Sequence, residues 1–196
     1  LVLILAGCDS PKQTIDIDKT QVTTTSDSIQ TKQALRMAVG AMITPRDGFL
    51  YYRNFLDYIS EKIDVPIEYI DKESYAEINQ MLQDGNLDVA FVCSGPFVDG
   101  KKDFGLQPLV APQAHGESVY YSYVIVPVDS PVTSFEQLRD KKFAFTDPQS
   151  NTGSLVPTYL LAKINETRDS FFASYEYTYA HDKSIKAVAM NLVEGA

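Results

Sequence analysis

Asp147-Pro148-Gln149-Ser150-Asn151-Thr152-Gly153 joins a strand-like run, Lys142-Phe143-Ala144-Phe145, to a helix-like run over residues 155–164. A strand that turns through small hydroxyl and amide residues into a helix leaves several backbone N–H groups aimed at one point. Those groups carry partial positive charge, so the point suits an anion. The same residue types are good helix caps, and a cap needs no ligand. Pro157 has no N–H to give, which limits the regular helical ladder upstream and predicts a helix start at about Thr152 to Ser154. Gly153 removes a Cβ where a ligand would approach the backbone. Local sequence leaves both readings, cap and anion site, open.

The strand–turn–helix unit recurs in both directions from this stretch. Upstream, residues 35–39 read as a short strand. Residues 49–63 read as a helix, with Leu50, Phe55, Tyr58, Ile59 and Ile63 near helical spacing. Residues 66–70 predict a strand, and Ser74 opens a helix through Met81 and Leu82 that Gly85 stops. Residues 87–92 predict a buried-type strand, and 106–111 and 119–126 two more. A short helix is expected over 134–139, then the strand 142–145. Beyond the quoted turn come a strand over 174–179 and a last helix from about 182 to 193. Such alternation predicts an α/β fold with largely parallel sheets covered by helices, divided into two lobes near residue 125. Ligands in such folds bind outside the carboxyl ends of strands. Three loops qualify: 42–48, 93–95 and 147–153.

The chain has 196 residues, 44% of them hydrophobic and 22% charged, with a formal net charge of -9. Strong acidity without a Lys/Arg cluster argues against a nucleic-acid partner. Leu1 to Leu5 is apolar but too short to span a bilayer, and reads as the end of a secretory signal over residues 1–7. It runs into Leu5-Ala6-Gly7-Cys8, which resembles the bacterial lipobox and makes Cys8 the expected lipidation site. The polar stretch that follows, to residue 33, predicts a flexible tether. Cys93 is the only other cysteine, so no intrachain disulfide is expected. These features predict an exported domain anchored at a membrane surface, with first and second lobes over 34–125 and 126–196.

Catalytic chemistry finds little support. With only His115 and His181 present and no HExxH or CxxC spacing, no metal is expected. A GxSxG elbow, a Walker A loop and a dinucleotide GxGxxG are absent, so no cofactor is expected either. Ser150, His181 and Asp182 could be imagined as a triad, but neighbours in sequence do not place an orienting acid behind the imidazole. Cys93 lacks a basic neighbour and reads as a structural thiol. His181 stands at a strand-to-helix junction, as a donor or as an N-cap beside Asp182. His115 reads as a solvent-exposed loop residue.

At this point the residues carry a resemblance. Asp147-Pro148-x-Ser150-x-Thr152-Gly153-x-x-x-Pro157 resembles the corresponding motif of phosphonate and phosphite substrate-binding proteins of ABC transporters. Asp88-Val89-Ala90-Phe91 after Gly85, Tyr120-Tyr121-Ser122, Asp129-Ser130-Pro131-Val132 and Ala180-His181-Asp182 before Ala187-Val188-Ala189 continue it. The resemblance runs from Leu35 to the end of the sequence. It implies a two-lobed, hinge-closing clamp of the type II periplasmic-binding-protein kind, and family members continue past position 196, which would leave the second lobe incomplete. By position, Ser150, Asn151, Thr152 and Gly153 would hold an oxyanion, with His181 contacting it from the same lobe. Asp182 falls where some members direct an acid at a substrate amine, and Tyr52 with the Ser94-Gly95 turn would supply first-lobe contacts. Val92 stands where some members carry an aromatic residue.

The function expected is capture of a phosphonate, phosphite or phosphate-like anion and its delivery to an ABC transporter permease. The alternatives are the same clamp as the input domain of a signalling system and, from another class, a hydrolase using Ser150 and His181.

Overall fold

The computed structural model describes residues 32–113 and 115–196; the expected signal segment, Cys8 and most of the tether lie outside them. Strands β1 (Leu35–Val39), β2 (Ile67–Ile70) and β3 (Val89–Phe91) form one parallel sheet in the order β2-β1-β3. Helices α1 (Pro45–Ile63) and α2 (Tyr75–Gln83) make the crossovers between them, and α3 (Ser94–Phe104) follows β3. A second parallel pair, β4 (Lys142–Phe145) and β5 (Ser174–Tyr177), is joined through α4 (Val156–Lys163) and the single turn α5 (Arg168–Phe171), and α6 (His181–Ala189) follows β5. The α/β alternation is as expected, because parallel neighbours require a crossover and these helices supply it.

Each sheet has its own apolar centre. Ala38, Ile78 and Leu87 pack under the first. Leu138, Phe143, Phe145, Leu161, Phe171 and Phe172 form the larger core under the second. There Phe143 stacks on Phe172 at 4.5 Å, and Phe145 meets Phe143 edge-on at 4.9 Å. Such ring pairs contribute beyond the area that they bury.

Three expectations change. The runs 106–111 and 119–126 form no strand; among the described residues Leu106 N–H closes the end of α3 on the Gly100 carbonyl, and Ile125 exchanges backbone bonds of 2.9 and 3.0 Å with Ala196. A strand needs a ladder partner, and propensity alone does not provide one. Second, α3 begins within the expected loop 93–95 and fills residues to which no element had been assigned. Pro96 sits in its first turn, where no N–H is missed, and Gly100 is buried so closely that a Cβ would lie 2.9 Å from Phe104 Cζ. Third, α1 turns a different face inward. Gly48 and Leu56 are buried with Tyr52 and Ile59 half-buried beside them, while Leu50, Phe55, Tyr58 and Ile63 are exposed. An aromatic-rich helix offers two apolar stripes, and periodicity cannot choose between them.

Candidate functional site

The carboxyl ends of β1, β3, β4 and β5 all lead toward helix starts, and the quoted turn sits among them. After β4 the chain passes through Thr146 and Asp147, both buried, to Ser150, which is completely buried. Residues Asn151–Leu155 then wind as a wide π turn before α4 begins. Winding thus starts at Asn151, slightly earlier than expected, and Pro157 falls in the first turn of α4. Ser150 Oγ accepts the Gly153 N–H at 3.1 Å, so the cap reading holds for that serine. The Ser154 and Leu155 N–H groups both donate to the Ser150 carbonyl. The N–H groups of Asn151 and Thr152 meet no acceptor among the described residues. A capped turn and two open donors coexist.

Gly153 has a structural reason of its own. A Cβ there would lie 2.2 Å from Thr146 Oγ1 and 2.5 Å from Thr146 Cβ, so the missing methyl faces Thr146. Close packing of the turn on the end of β4, rather than close approach of a ligand, is what demands glycine here. The carbonyl of Gly153 accepts the Thr146 N–H at 2.9 Å, which ties the turn to that strand.

Residues from the first sheet press against this turn. Asp147 accepts the Tyr75 N–H at 3.2 Å, at the start of α2, and the Gln149 N–H at 2.8 Å. Gln149 Nε2 donates to Asp99 on α3 at 3.0 Å. Gly95 comes so close that a Cβ would fall 2.0 Å from the Gln149 carbonyl oxygen. Ser122 Oγ donates to the Thr152 carbonyl at 2.7 Å. Gly95 therefore does reach the turn, by backbone apposition. Ser94 shares a 3.0 Å hydrogen bond with the Tyr120 hydroxyl, and Cys93 Sγ lies 3.7 Å from the same oxygen.

Two tyrosines join the cluster that the sequence had not singled out for it. The Tyr75 ring is buried beside Gly40, and its hydroxyl is buried with no hydrogen-bond partner. Burial pushes its phenol well above the ordinary range; Cys93 and Asp147 add to the rise, Ser150 opposes it, and Tyr120 adds further. The phenol is therefore a protonated donor, lying next to Ser150 and short of a partner. A buried hydroxyl without a partner costs free energy, and such exceptions gather at functional positions. Tyr75 opens α2 directly after the cap Ser74, whose Oγ accepts the Glu77 N–H at 3.3 Å. That capping pattern marks the helix start in the sequence, but says nothing of what the following side chain faces.

His181 and Asp182 begin α6, at the carboxyl end of β5. The N-cap is Ala180, so His181 is not the cap. The His181 N–H donates to Met42 O at 2.8 Å, and Asp182 Oδ1 accepts the Thr44 N–H at 3.0 Å. In this structure, then, Asp182 is engaged by the β1–α1 loop. Tyr52 lies on α1 near Tyr69, whose phenol burial, Asp71 and Tyr52 together push up to about 12. His115 is exposed, as expected.

Burial lowers the pKa of His181 below 6.5, with Asp182 opposing the shift. The unfolded chain then binds the proton more readily than the folded one. The contribution of neutral His181 to stability is present above the unfolded value, about 6.5, and is lost as pH falls through the lower folded value. Urea midpoints measured from pH 7 down to 5, roughly the histidine range, are expected to fall more steeply for the wild type than for His181→Gln. Parallel profiles would remove His181 as the cause.

Comparison with known proteins places this geometry. A binding protein component of an ABC phosphonate transporter from Pseudomonas aeruginosa superposes with a TM-score of 0.75 at 21% identity, covering 84% of this chain and 56% of that one. PhnD1 from Prochlorococcus marinus, solved in complex with methylphosphonate, superposes with a TM-score of 0.71 at 18% identity, covering 83% of this chain and 62% of its own. A transferrin from Blaberus discoidalis is 34% identical over 87 residues, 43% of this chain and 12% of the transferrin. The chain thus spans little more than half the length of the two solved structures.

The fold is the two-lobed α/β architecture of type II periplasmic binding proteins, as the alternation and the resemblance had implied. The family profile described as ABC transporter, phosphonate, periplasmic substrate-binding protein matches residues 37–196, and the chain belongs to that family.

Proposed function

We propose that this protein captures a phosphonate or a closely related phosphorus oxyanion and passes it to an ABC transporter permease, as a solute-binding protein rather than an enzyme. The observations that carry the reading are the open Asn151 and Thr152 N–H groups of the turn and the unpartnered Tyr75 hydroxyl, which lies beside Ser150 of the same turn. Neutral donors converging from two lobes suit an oxyanion that must be both held and released. Ser150 Oγ, already accepting from Gly153, keeps its own O–H for a ligand oxygen, and the Thr152 hydroxyl is a second candidate. His181, kept neutral near pH 7 by its burial, would donate as a neutral imidazole. Gly153 shapes the turn, Ser94 and Gly95 position the first-lobe wall, and Tyr52 and Asp182 would face the organic end of the ligand. Delivery at the membrane surface would follow from export and a lipid on Cys8, which the Leu5-Ala6-Gly7-Cys8 run supports.

Calorimetry on the full-length protein with methylphosphonate, phosphite, phosphate and sulfate tests this. Ser150→Ala and Thr152→Ala are each expected to weaken the preferred phosphorus ligand by about 1.5–3 kcal/mol, the worth of a hydrogen bond to a charged group. Tyr75→Phe in the same series should lose affinity without losing thermal stability, since it deletes a buried hydroxyl that has no hydrogen-bond partner among the described residues. Unchanged affinity in all three variants would overturn the assignment.

A further inference from the structure

Arg168 is distant from the turn in sequence yet grips it. Nη2 donates to Ser154 Oγ at 3.0 Å and to Thr158 Oγ1 at 2.6 Å, and Nε donates to Thr158 Oγ1 at 3.0 Å. Nη1 donates to the Tyr177 hydroxyl. The guanidinium carbon lies 4.6 Å from the Phe145 ring centroid and 5.5 Å from that of Tyr177. Every one of these partners is neutral. Among the described residues the ion pairs are Lys32–Asp64, Arg36–Asp88, Arg53–Asp57 and Arg139–Glu166, and none includes Arg168.

A half-buried guanidinium without a carboxylate is under-compensated, because hydroxyls and ring faces offset only part of the lost hydration. Its place in the fold gives that charge a direction. Phe145 and Tyr177 end β4 and β5, and Ser154 lies within the π turn, so the cation sits at the carboxyl end of the second sheet. Ser154 N–H donates to the Ser150 carbonyl at 3.1 Å, and Thr158 Oγ1 donates to the Ser154 carbonyl at 2.7 Å. The two side chains held by the arginine fork are thus bonded into the backbone that presents the open N–H groups. In a chain of net charge -9, a cation here offsets the repulsion that an incoming anion meets.

We propose that Arg168 is a positioning residue for the oxyanion site: its fork fixes the Asn151–Leu155 turn, and its unpaired charge supplies the positive field that a bound oxyanion completes. This rests on the oxyanion reading above and adds to it the cation that the neutral donors lack. A purely structural brace would affect stability; a field source also affects how affinity depends on charge and salt.

The test is calorimetry with methylphosphonate on the full-length wild type, Arg168→Lys and Arg168→Gln at low and high ionic strength, with thermal midpoints alongside. Arg168→Gln is expected to bind about tenfold more weakly and with a flatter salt dependence. Arg168→Lys, which keeps the charge and gives up the fork, is expected to recover most of that affinity and the wild-type salt slope. Wild-type affinity and salt slope in Arg168→Gln overturn the proposal, as does Arg168→Lys binding no better than Arg168→Gln. If Arg168→Gln does not fold, the lysine variant decides alone: a wild-type salt slope supports the charge, a flattened one overturns it. Wild-type protein that binds no phosphorus oxyanion overturns the underlying functional reading, a result seen before any variant is made.

Discussion

Gly153→Ala is expected to unseat the turn, lowering stability by about 3 kcal/mol and oxyanion affinity by more than about tenfold. The added methyl would have to occupy space 2.2 Å from Thr146 Oγ1 and 2.5 Å from Thr146 Cβ. Neither atom is at the free end of a flexible side chain. Thr146 is 3% exposed, and its own N–H is bonded to the Gly153 carbonyl, so strand and turn cannot part without losing that bond. Shifting the turn instead moves the open Asn151 and Thr152 N–H groups from the positions that the bond to β4 holds. Urea unfolding and calorimetry on the same preparation measure both effects. The double variant Gly153→Ala/Thr146→Gly should regain part of the stability, because it removes both clashing atoms. Gly153→Ala with wild-type stability would show that the turn is looser than these distances allow.

Asp147→Ala is expected to cost about 3 kcal/mol, from a buried Tyr75 N–H and a part-buried Gln149 N–H left without an acceptor. The carboxylate is 2% exposed and receives Tyr75 N–H from the first lobe and Gln149 N–H from its own loop. Asp147→Asn keeps one carbonyl oxygen as an acceptor and should lose less. The distinguishing readout is affinity. Asp147 anchors the backbone of Tyr75, so the alanine variant should release the phenol and weaken methylphosphonate even under conditions where the variant is fully folded. Chemical unfolding curves set those conditions, and calorimetry within them reads the affinity. Full affinity in folded Asp147→Ala would separate Tyr75 from the site.

Much of the fold was legible because strand–helix alternation is a local signal. The expected strands at 35–39 and 142–145 match β1 and β4 to the residue, and Ser74 marks the start of α2. The misreadings share a cause. Runs 106–111 and 119–126 have the residues of strands but depend on a distant partner, and α1 presents two apolar faces whose choice depends on packing. Helix α3 carries Gly95, Pro96 and Gly100 for tertiary fit, against its own propensity.

The site divides in the same way. Capping at the turn and a helix start at about Thr152 could be read from the turn itself, one residue later than the winding that begins at Asn151. That Gly153 faces Thr146, that Asp182 bonds to Thr44 N–H, and that Tyr75 brings an orphan hydroxyl to Ser150 are long-range facts. No local pattern announces them. Only the capping pattern at Ser74 placed Tyr75 at a helix start, and that pattern is silent about direction.

The apposition of Gly95 with the Gln149 carbonyl, and the bonds Asp99–Gln149, Tyr75–Asp147, Met42–His181 and Thr44–Asp182, also bear on time rather than strength. They join the loops and helix starts around the first sheet directly to those around the second. With the Tyr75 hydroxyl buried, a ligand of the proposed kind would reach it only while those bonds are open. On the oxyanion reading, entry and departure would both wait on that opening. Residence time would then follow how often those bonds open, so Asp99→Ala is expected to shorten it without altering any group proposed to face the ligand.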